Sequence, residues 1–152
     1  ATLRTGGKVD DYFIIHLMKP ARMPEVKITL KASYLMCENE PRFVLHGTEG
    51  SYVKYGLDPQ EADLTKGMLP DTPHWGEEDE SQWGILHTET DGNVVRKPYP
   101  TLPGNYAAFY ENIYQHIRNG AVLQSDACGV LGVIRLIEAA WESSRTGNVI
   151  KL

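Results

Sequence analysis

His46-Gly-Thr-Glu-Gly-Ser51, followed by Tyr55-Gly-Leu-Asp-Pro-Gln-Glu61, is the stretch that organises this chain. Arg42 to His46 and Ser51 to Tyr55 are rich in apolar and β-branched residues and flank Gly47-Thr-Glu-Gly50, the pattern of an antiparallel hairpin. Asp58-Pro-Gln-Glu61 then has the form of a helix start. Asp58 can cap, Pro59 suits the first helical position, and Glu61 can close a capping box. This helix is expected to end near Gly67.

Upstream, the sequence reads as antiparallel sheet. Thr2 to Thr5 predicts a strand, broken by Gly6-Gly7, and Asp11 to Met18 predicts another. Lys19 to Pro24 holds two prolines and reads as a turn. Over Val26 to Tyr34 the residues alternate. Val26, Ile28, Leu30, Ala32 and Tyr34 fall on one face, and Lys27, Thr29, Lys31 and Ser33 on the other. Such alternation suits an antiparallel sheet with one wetter face, not the doubly buried parallel sheet of a nucleotide-binding fold.

Downstream, Met68 to Gly84 is rich in Pro, Gly and acidic residues, but its tryptophans, Trp75 and Trp83, predict an ordered excursion. Leu86 to Thr90 and Val94 to Lys97 flank Asp91-Gly92, a two-residue hairpin signal. From Asn105, the positions Tyr106, Phe109, Tyr110, Ile113 and Ile117 follow helical spacing, and Gly120 stops that helix. Ser125 or Asp126 caps a second helix running to about Arg145 and ended by Gly147. Val130, Leu131, Val133, Ile134, Leu136, Ile137 and Trp141 make it apolar nearly all round, which predicts burial on more than one side. Val149 to Leu152 is expected to return as a strand. The fold class is therefore α+β, and residues 1–152 read as a single domain built on antiparallel strands followed by helices.

Composition narrows the function. A net charge of −5 argues against nucleic acid, whose affinity rests on Lys and Arg. No apolar run approaches a membrane span. Cys37 and Cys128 form no C-x-x-C pair, which suggests reduced thiols and a cytoplasmic setting while leaving a single disulfide open. Cys128, in the second long helix, is expected to be buried and inert. Gly47 and Gly50 lie between strands, and Gly129 and Gly132 lie inside a helix where close packing would explain them. None forms a dinucleotide fingerprint, and no phosphate-cradling loop or metal-binding spacing occurs. His16 and His46 read as half-buried strand residues, and His116 as facing solvent or a subunit boundary. His74, beside Trp75 in an irregular acidic loop, is the histidine best placed for a ligand pocket. A small hydrolase or lyase built on it would need a second catalytic group, and none is identifiable.

Several stretches carry a family resemblance: Pro41 to Thr48, Gly50 to Glu61, Trp75-Gly-Glu77, Thr101 to Tyr106 with its Leu102-Pro-Gly-Asn-Tyr106, and Ile134-Arg-Leu-Ile-Glu138 with Glu142-Ser-Ser144. Together they resemble the C-terminal domain of the glucose-fructose oxidoreductase / inositol dehydrogenase / MocA family. The resemblance implies an open, mainly antiparallel sheet with helices packed on one face, and a sheet face that builds a homo-oligomer. It also implies a bacterial parent protein that transfers hydride between a sugar or polyol and NAD or NADP, with the cofactor held by a preceding Rossmann domain. The family's Glu-Lys-Pro and Asp-x-Gly-x-His motifs occur nowhere in this chain, so no catalytic residue is carried over, and no cofactor-binding or metal-binding residue is assigned. The chain is expected to begin inside the second domain and to be inactive alone. Tyr55, Asp58, Gln60, His74 and Trp75 are expected toward the substrate or an oligomer contact. Lys27, Thr29, Lys31 and Ser33 are the expected oligomer face, with Tyr12 or Ile14 beside them. The alternative is a free-standing sheet module that self-associates without catalysis.

Overall fold

The computed structural model describes residues 8–18 and 25–152. The expected strand at Thr2 to Thr5 and the turn at Lys19 to Pro24 lie outside the described residues. Six strands and three α-helices are described: β1 (Tyr12–Met18), β2 (Lys27–Ser33), β3 (Phe43–His46), β4 (Gly50–Lys54), α1 (Gln60–Thr65), β5 (Gly84–Thr90), β6 (Asn93–Tyr99), α2 (Ala107–Asn119) and α3 (Ala127–Thr146). The chain divides into two compact units. One holds the described residues up to Glu38 together with Ser125–Leu152; the other is Asn39–Gln124.

In the first unit β1 and β2 form a two-stranded antiparallel ladder from Tyr12↔Ser33 to Met18↔Lys27. The register sets Tyr12, Ile14, His16 and Met18 on the same face as Ser33, Lys31, Thr29 and Lys27. Phe13, Ile15 and Leu17 share the other face with Ala32, Leu30 and Ile28. Helix α3 begins as expected. The Asp126 carboxylate accepts from Gly129 N (2.8 Å), and left-handed Gly147 ends the helix.

The second unit is a four-stranded antiparallel meander, β3-β4-β5-β6. Gly47 N donates to Gly50 O (2.8 Å) and closes the first hairpin. Asp91 (φ 53°) and Gly92 (φ 74°) form the second, with Thr90 opposite Asn93. Two positive φ values in a two-residue loop match the twist of the flanking strands. Pro98 sits in β6, an edge strand, where a missing N–H is tolerated. The Met68 to Gly84 excursion is ordered by turns and a short 3₁₀ helix, and both of its tryptophans are half-buried.

Several expectations are corrected. Helix α3 is not buried: Val130 is 53% exposed and Trp141 65%. An all-round apolar helix shows which sides water disfavours, but it does not supply the surface that covers them. Cys128 lies on that helix and is exposed; both cysteines are free. Gly132 has open space where a side chain would stand, so close packing does not explain it. His16 and His46 are exposed and share cross-strand hydrogen bonds with Thr29 (3.1 Å) and Ser51 (2.8 Å). Imidazole beside a strand hydroxyl is satisfied at the surface and does not need burial. His116 is exposed, as one expected alternative had it, and donates through Nδ1 to Ala121 O (2.6 Å). Residues 149–152 form no strand, and Glu61 is exposed and closes no capping box.

Burial runs against the usual order. Among the described residues no hydrophobic side chain is fully buried, and the buried polar or charged residues are Asp11, Lys54 and Gln60. The second unit is consequently held at points where polar groups are knotted together.

Candidate functional site: a buried glutamine knot and an aromatic groove

Gln60 opens α1 and is fully buried, at 0% exposure. Its backbone N and its Nε2 both donate to Asp58 Oδ1 (2.9 Å each). Pro59 is already in helical conformation, so Asp58 acts as the expected cap. Gln60 Oε1 accepts from Trp75 Nε1 and from Tyr106 N, each at 2.8 Å, which fills both lone pairs of that oxygen. The knot thus joins the start of α1, the acidic excursion and the start of α2.

Two glycines make the closure possible. Gly104 N donates to Gly76 O (3.0 Å), and a Cβ at Gly104 would run into the Asp58 carboxylate and the Gln60 amide. Close backbone approach of this kind needs glycine. Asp58, Gln60 and Trp75 therefore come together. Tyr55 and His74 do not join them. Tyr55 is half exposed and its carbonyl takes a long bond from Lys54 Nζ (3.4 Å). His74 has a left-handed backbone (φ 63°), is 82% exposed in its side chain, and donates through Nδ1 to Glu77 Oε2 (2.9 Å).

A second knot had no sequence signal. Lys54 Nζ donates to both oxygens of Glu78 (2.8 Å each) and to Gln82 O (2.9 Å), with the two side chains 10% and 5% exposed. Its partner lies 24 residues away in an irregular segment, beyond any helix or strand spacing rule. Nearby, hydrogen bonds from Ser81 hold the Asp79 carboxyl below its usual value; the hydroxyl contributes most, then the backbone N–H.

A shallow groove of about 540 Å³ is lined by Tyr52, Leu86, Tyr99, Pro100, Thr101 and Leu102. Tyr52 pairs with Leu86, and Gly84 with Tyr99, so these residues share one face of the meander. A Cβ on Gly84 would strike the Tyr52 ring; glycine there lets the ring lie across β5. The Thr101 hydroxyl is buried in the groove wall without a hydrogen-bond partner in the protein. A buried hydroxyl left in this state costs about 1–3 kcal/mol. Sequence reasoning missed this groove, because Tyr52 and Tyr99 are 47 positions apart and meet only through the register of β4, β5 and β6. A more polar hollow of about 490 Å³ lies at the hairpin tips, lined by residues including Ser51, His87, Glu89 and Asp91.

On β2, Thr29 Oγ1 bonds His16 and Ser33 Oγ accepts from Leu35 N (3.1 Å), while Lys27, Thr29 and Lys31 are exposed. Among the described residues no group of His, Cys, Asp and Glu is arranged to hold a metal ion. The described residues do not fit a nicotinamide dinucleotide either. All described strand pairs are antiparallel, and the Gly47 and Gly50 loop is a closed hairpin with no helix following it to receive a phosphate. Among the described residues no helix is long and apolar enough to cross a membrane.

Comparison with known proteins places this geometry. Residues 2–152 match the model of the oxidoreductase family C-terminal alpha/beta domain, the Gfo/Idh/MocA family. The chain is 33% identical over 149 residues to the scyllo-inositol 2-dehydrogenase (NADP(+)) IolW of Bacillus subtilis, covering 98% of this chain and 40% of that protein. It is 35% identical over 158 residues to an uncharacterized oxidoreductase of Schizosaccharomyces pombe, covering 95% and 42%. A crystal structure of a candidate oxidoreductase from Bacteroides fragilis superposes with a TM-score of 0.93 at 58% identity, over all of this chain and 45% of that one. The chain spans about two fifths of the length of the curated relatives it matches. The three stretches knotted at Gln60 are among those that carried the resemblance, and with the match extending over residues 2–152 the chain belongs to the Gfo/Idh/MocA oxidoreductase family, as its C-terminal α/β domain.

Proposed function

We propose that this chain supplies the substrate-facing half of a bacterial, cytoplasmic NAD(P)-dependent dehydrogenase acting on a sugar or polyol. The observation that carries the reading is the convergence of Asp58-Pro-Gln60, Trp75-Gly76 and Gly104 to Tyr106, three of the stretches that carry the family resemblance, at one buried side chain. Similarity to an NADP(+)-dependent scyllo-inositol dehydrogenase supports the substrate class and the cofactor. The nicotinamide, bound by other residues, would accept hydride from the carbinol carbon. The part played by this chain is to hold the substrate and shield it from water, and alone it is inactive. Tyr55 and His74 lie on the surface of the same unit and are proposed as contacts to substrate or to a second copy, together with Asp58 and Trp75, which the fully buried Gln60 would hold in position.

The test is the coding sequence upstream of Ala1, followed by an NADP+-linked assay with scyllo-inositol on the longer protein. A glycine-rich strand-turn-helix upstream, with turnover in the longer protein and none in the chain alone, is the expected result. An upstream start codon or an unrelated domain would end the reading.

A second reading, self-association, is favoured by the open face of β1 and β2, where Ile14 and Met18 are exposed beside Lys27, Thr29, Lys31 and Ser33. A homo-oligomer formed through this face is expected in light scattering, and a monomer across a wide concentration range would refute it.

A further inference from the structure

Two pairs in this chain can cyclise through their own backbone, Asp91-Gly92 and Asn119-Gly120. In such a pair the glycine nitrogen, shielded by no side chain, attacks the side-chain carbonyl carbon of the residue before it. At neutral pH the Asn amide is the better electrophile, because the Asp carboxyl is then an anion. The fold treats the two pairs differently. Asn119 is the last residue of α2. Gly120 N donates to His116 O (3.0 Å), and the Asn119 amide donates to Gln115 Oε1, one turn back. The chain beyond is pinned as well. Ala121 O accepts from His116 Nδ1 (2.6 Å), and Asn112 bonds both Val122 O (3.0 Å) and Gln124 N (2.9 Å). The attacking nitrogen and the amide it must reach are each held by a bond, and the helix end cannot fray without breaking more. Asp91 and Gly92 form the exposed tip of the β5–β6 hairpin, where Thr90 stands opposite Asn93. Among the described residues neither the Asp91 carboxylate nor the Gly92 N–H has a hydrogen-bond partner, and the space beside Gly92 is open. Leaving the turn also frees Asp91 from a left-handed backbone (φ 53°), which a residue with a Cβ adopts at a cost.

We propose that Asp91 is a site of spontaneous isomerisation in the folded chain, that the same fold shields Asn119, and that isoaspartate at position 91 unpins the edge strand β6. The Gly92 nitrogen gives up its proton and bonds to Asp91 Cγ. The bond from Cγ to its hydroxyl oxygen breaks, and that oxygen leaves as water, giving a five-membered succinimide. Water then adds to one of the two ring carbonyls and opens the ring. One opening restores Asp91; the other leaves isoaspartate, in which the main chain runs through the former side chain. The water lost is regained, so the product is an isomer and no oxidant or cofactor enters. At Asn119 the leaving group would be ammonia. Isoaspartate adds one carbon to the main chain of a two-residue loop whose length fixes the register. Strand β6 pairs with β5 alone, so nothing else in the sheet holds that register. Neither step depends on the chain's catalytic role.

The experiment ages the 152-residue chain at neutral pH, folded in buffer and in parallel unfolded in guanidinium chloride, and follows both pairs by peptide mapping. The ratio of unfolded to folded rate at each pair removes the intrinsic difference between Asn and Asp. A ratio within about threefold of one is expected at Asp91, and a ratio of about tenfold or more at Asn119, where conversion waits on local opening. Asn112→Ala keeps a good helix former in α2 and removes the two bonds that pin the chain beyond Gly120. It should speed conversion at Asn119 in the folded chain and leave Asp91 unchanged. The separated isoaspartate form should exchange its β6 amides faster than the parent form. A ratio at Asp91 as large as that at Asn119, or no isoaspartate at Asp91 in the folded chain, would overturn the proposed site. An unchanged Asn119 rate in Asn112→Ala would overturn the shielding, and unchanged exchange in β6 would overturn the effect on the sheet.

Discussion

The two units of this chain are held by different means. In the unit spanning Asn39–Gln124, a buried glutamine and a buried Lys–Glu pair tie irregular segments to a four-stranded meander. In the other, a two-stranded ladder and a twenty-residue helix leave Ile14, Leu30, Val130 and Trp141 largely open to water. Polar knots are specific and local: each depends on a few named atoms, and each fails if one partner is removed. Open apolar surface tolerates change in any single residue and depends on what comes to cover it. Substitutions in the first kind of region should therefore be severe and confined, and those in the second kind mild.

Gln60→Leu gives the sharpest break. It leaves the Trp75 indole N–H and the Tyr106 N–H without acceptors, at about 2 kcal/mol each, so the loss should be about 4 kcal/mol in denaturant unfolding. Hydrogen exchange should show the loss in the Asn39–Gln124 unit, with α3 little changed. Lys54→Met comes next. It strands the Glu78 carboxylate at 5% exposure and should cost about 3 kcal/mol, whereas the double variant with Glu78→Leu should recover most of that. In the other unit, Asp126→Ala removes the cap of α3 and should cost about 1 kcal/mol by thermal melting.

The smallest effect concerns pH. The Asp79 carboxyl is held below its usual value by Ser81, so its contribution to the turn is complete above the ordinary carboxylate range. It is lost only as pH falls through the lowered value. A carbon-detected titration should place Asp79 below the ordinary aspartate value, and Ser81→Ala should raise it, because the hydroxyl is the larger cause.

How much of this was legible follows from the reach of each interaction. The Gly47 and Asp91-Gly92 hairpins, the Asp58 and Asp126 caps and the terminal Gly120 and Gly147 were all readable, because their physics is complete within a few residues. The sequence pointed to Tyr55, Asp58, Gln60, His74 and Trp75 as facing substrate or an oligomer contact; it held no sign that Asp58 and Trp75 would bond a fully buried Gln60 while Tyr55 and His74 stay outside that cluster. The Lys54–Glu78 pair and the Tyr52–Tyr99 groove were not legible, since both depend on strand register and on the path of an irregular loop. The burial of α3 was misjudged because apolar periodicity names a face and says nothing of its partner.

The most direct measurement compares the indole N–H exchange rates of two tryptophans in the unmodified chain. Trp75 donates to the buried Gln60, and Trp141 is 65% exposed in the other unit. The account predicts slow exchange at Trp75 and solvent-like exchange at Trp141, with Gln60→Leu bringing Trp75 to the faster rate. Equal rates at the two indoles in the unmodified chain would contradict the knot and the division of the molecule built on it.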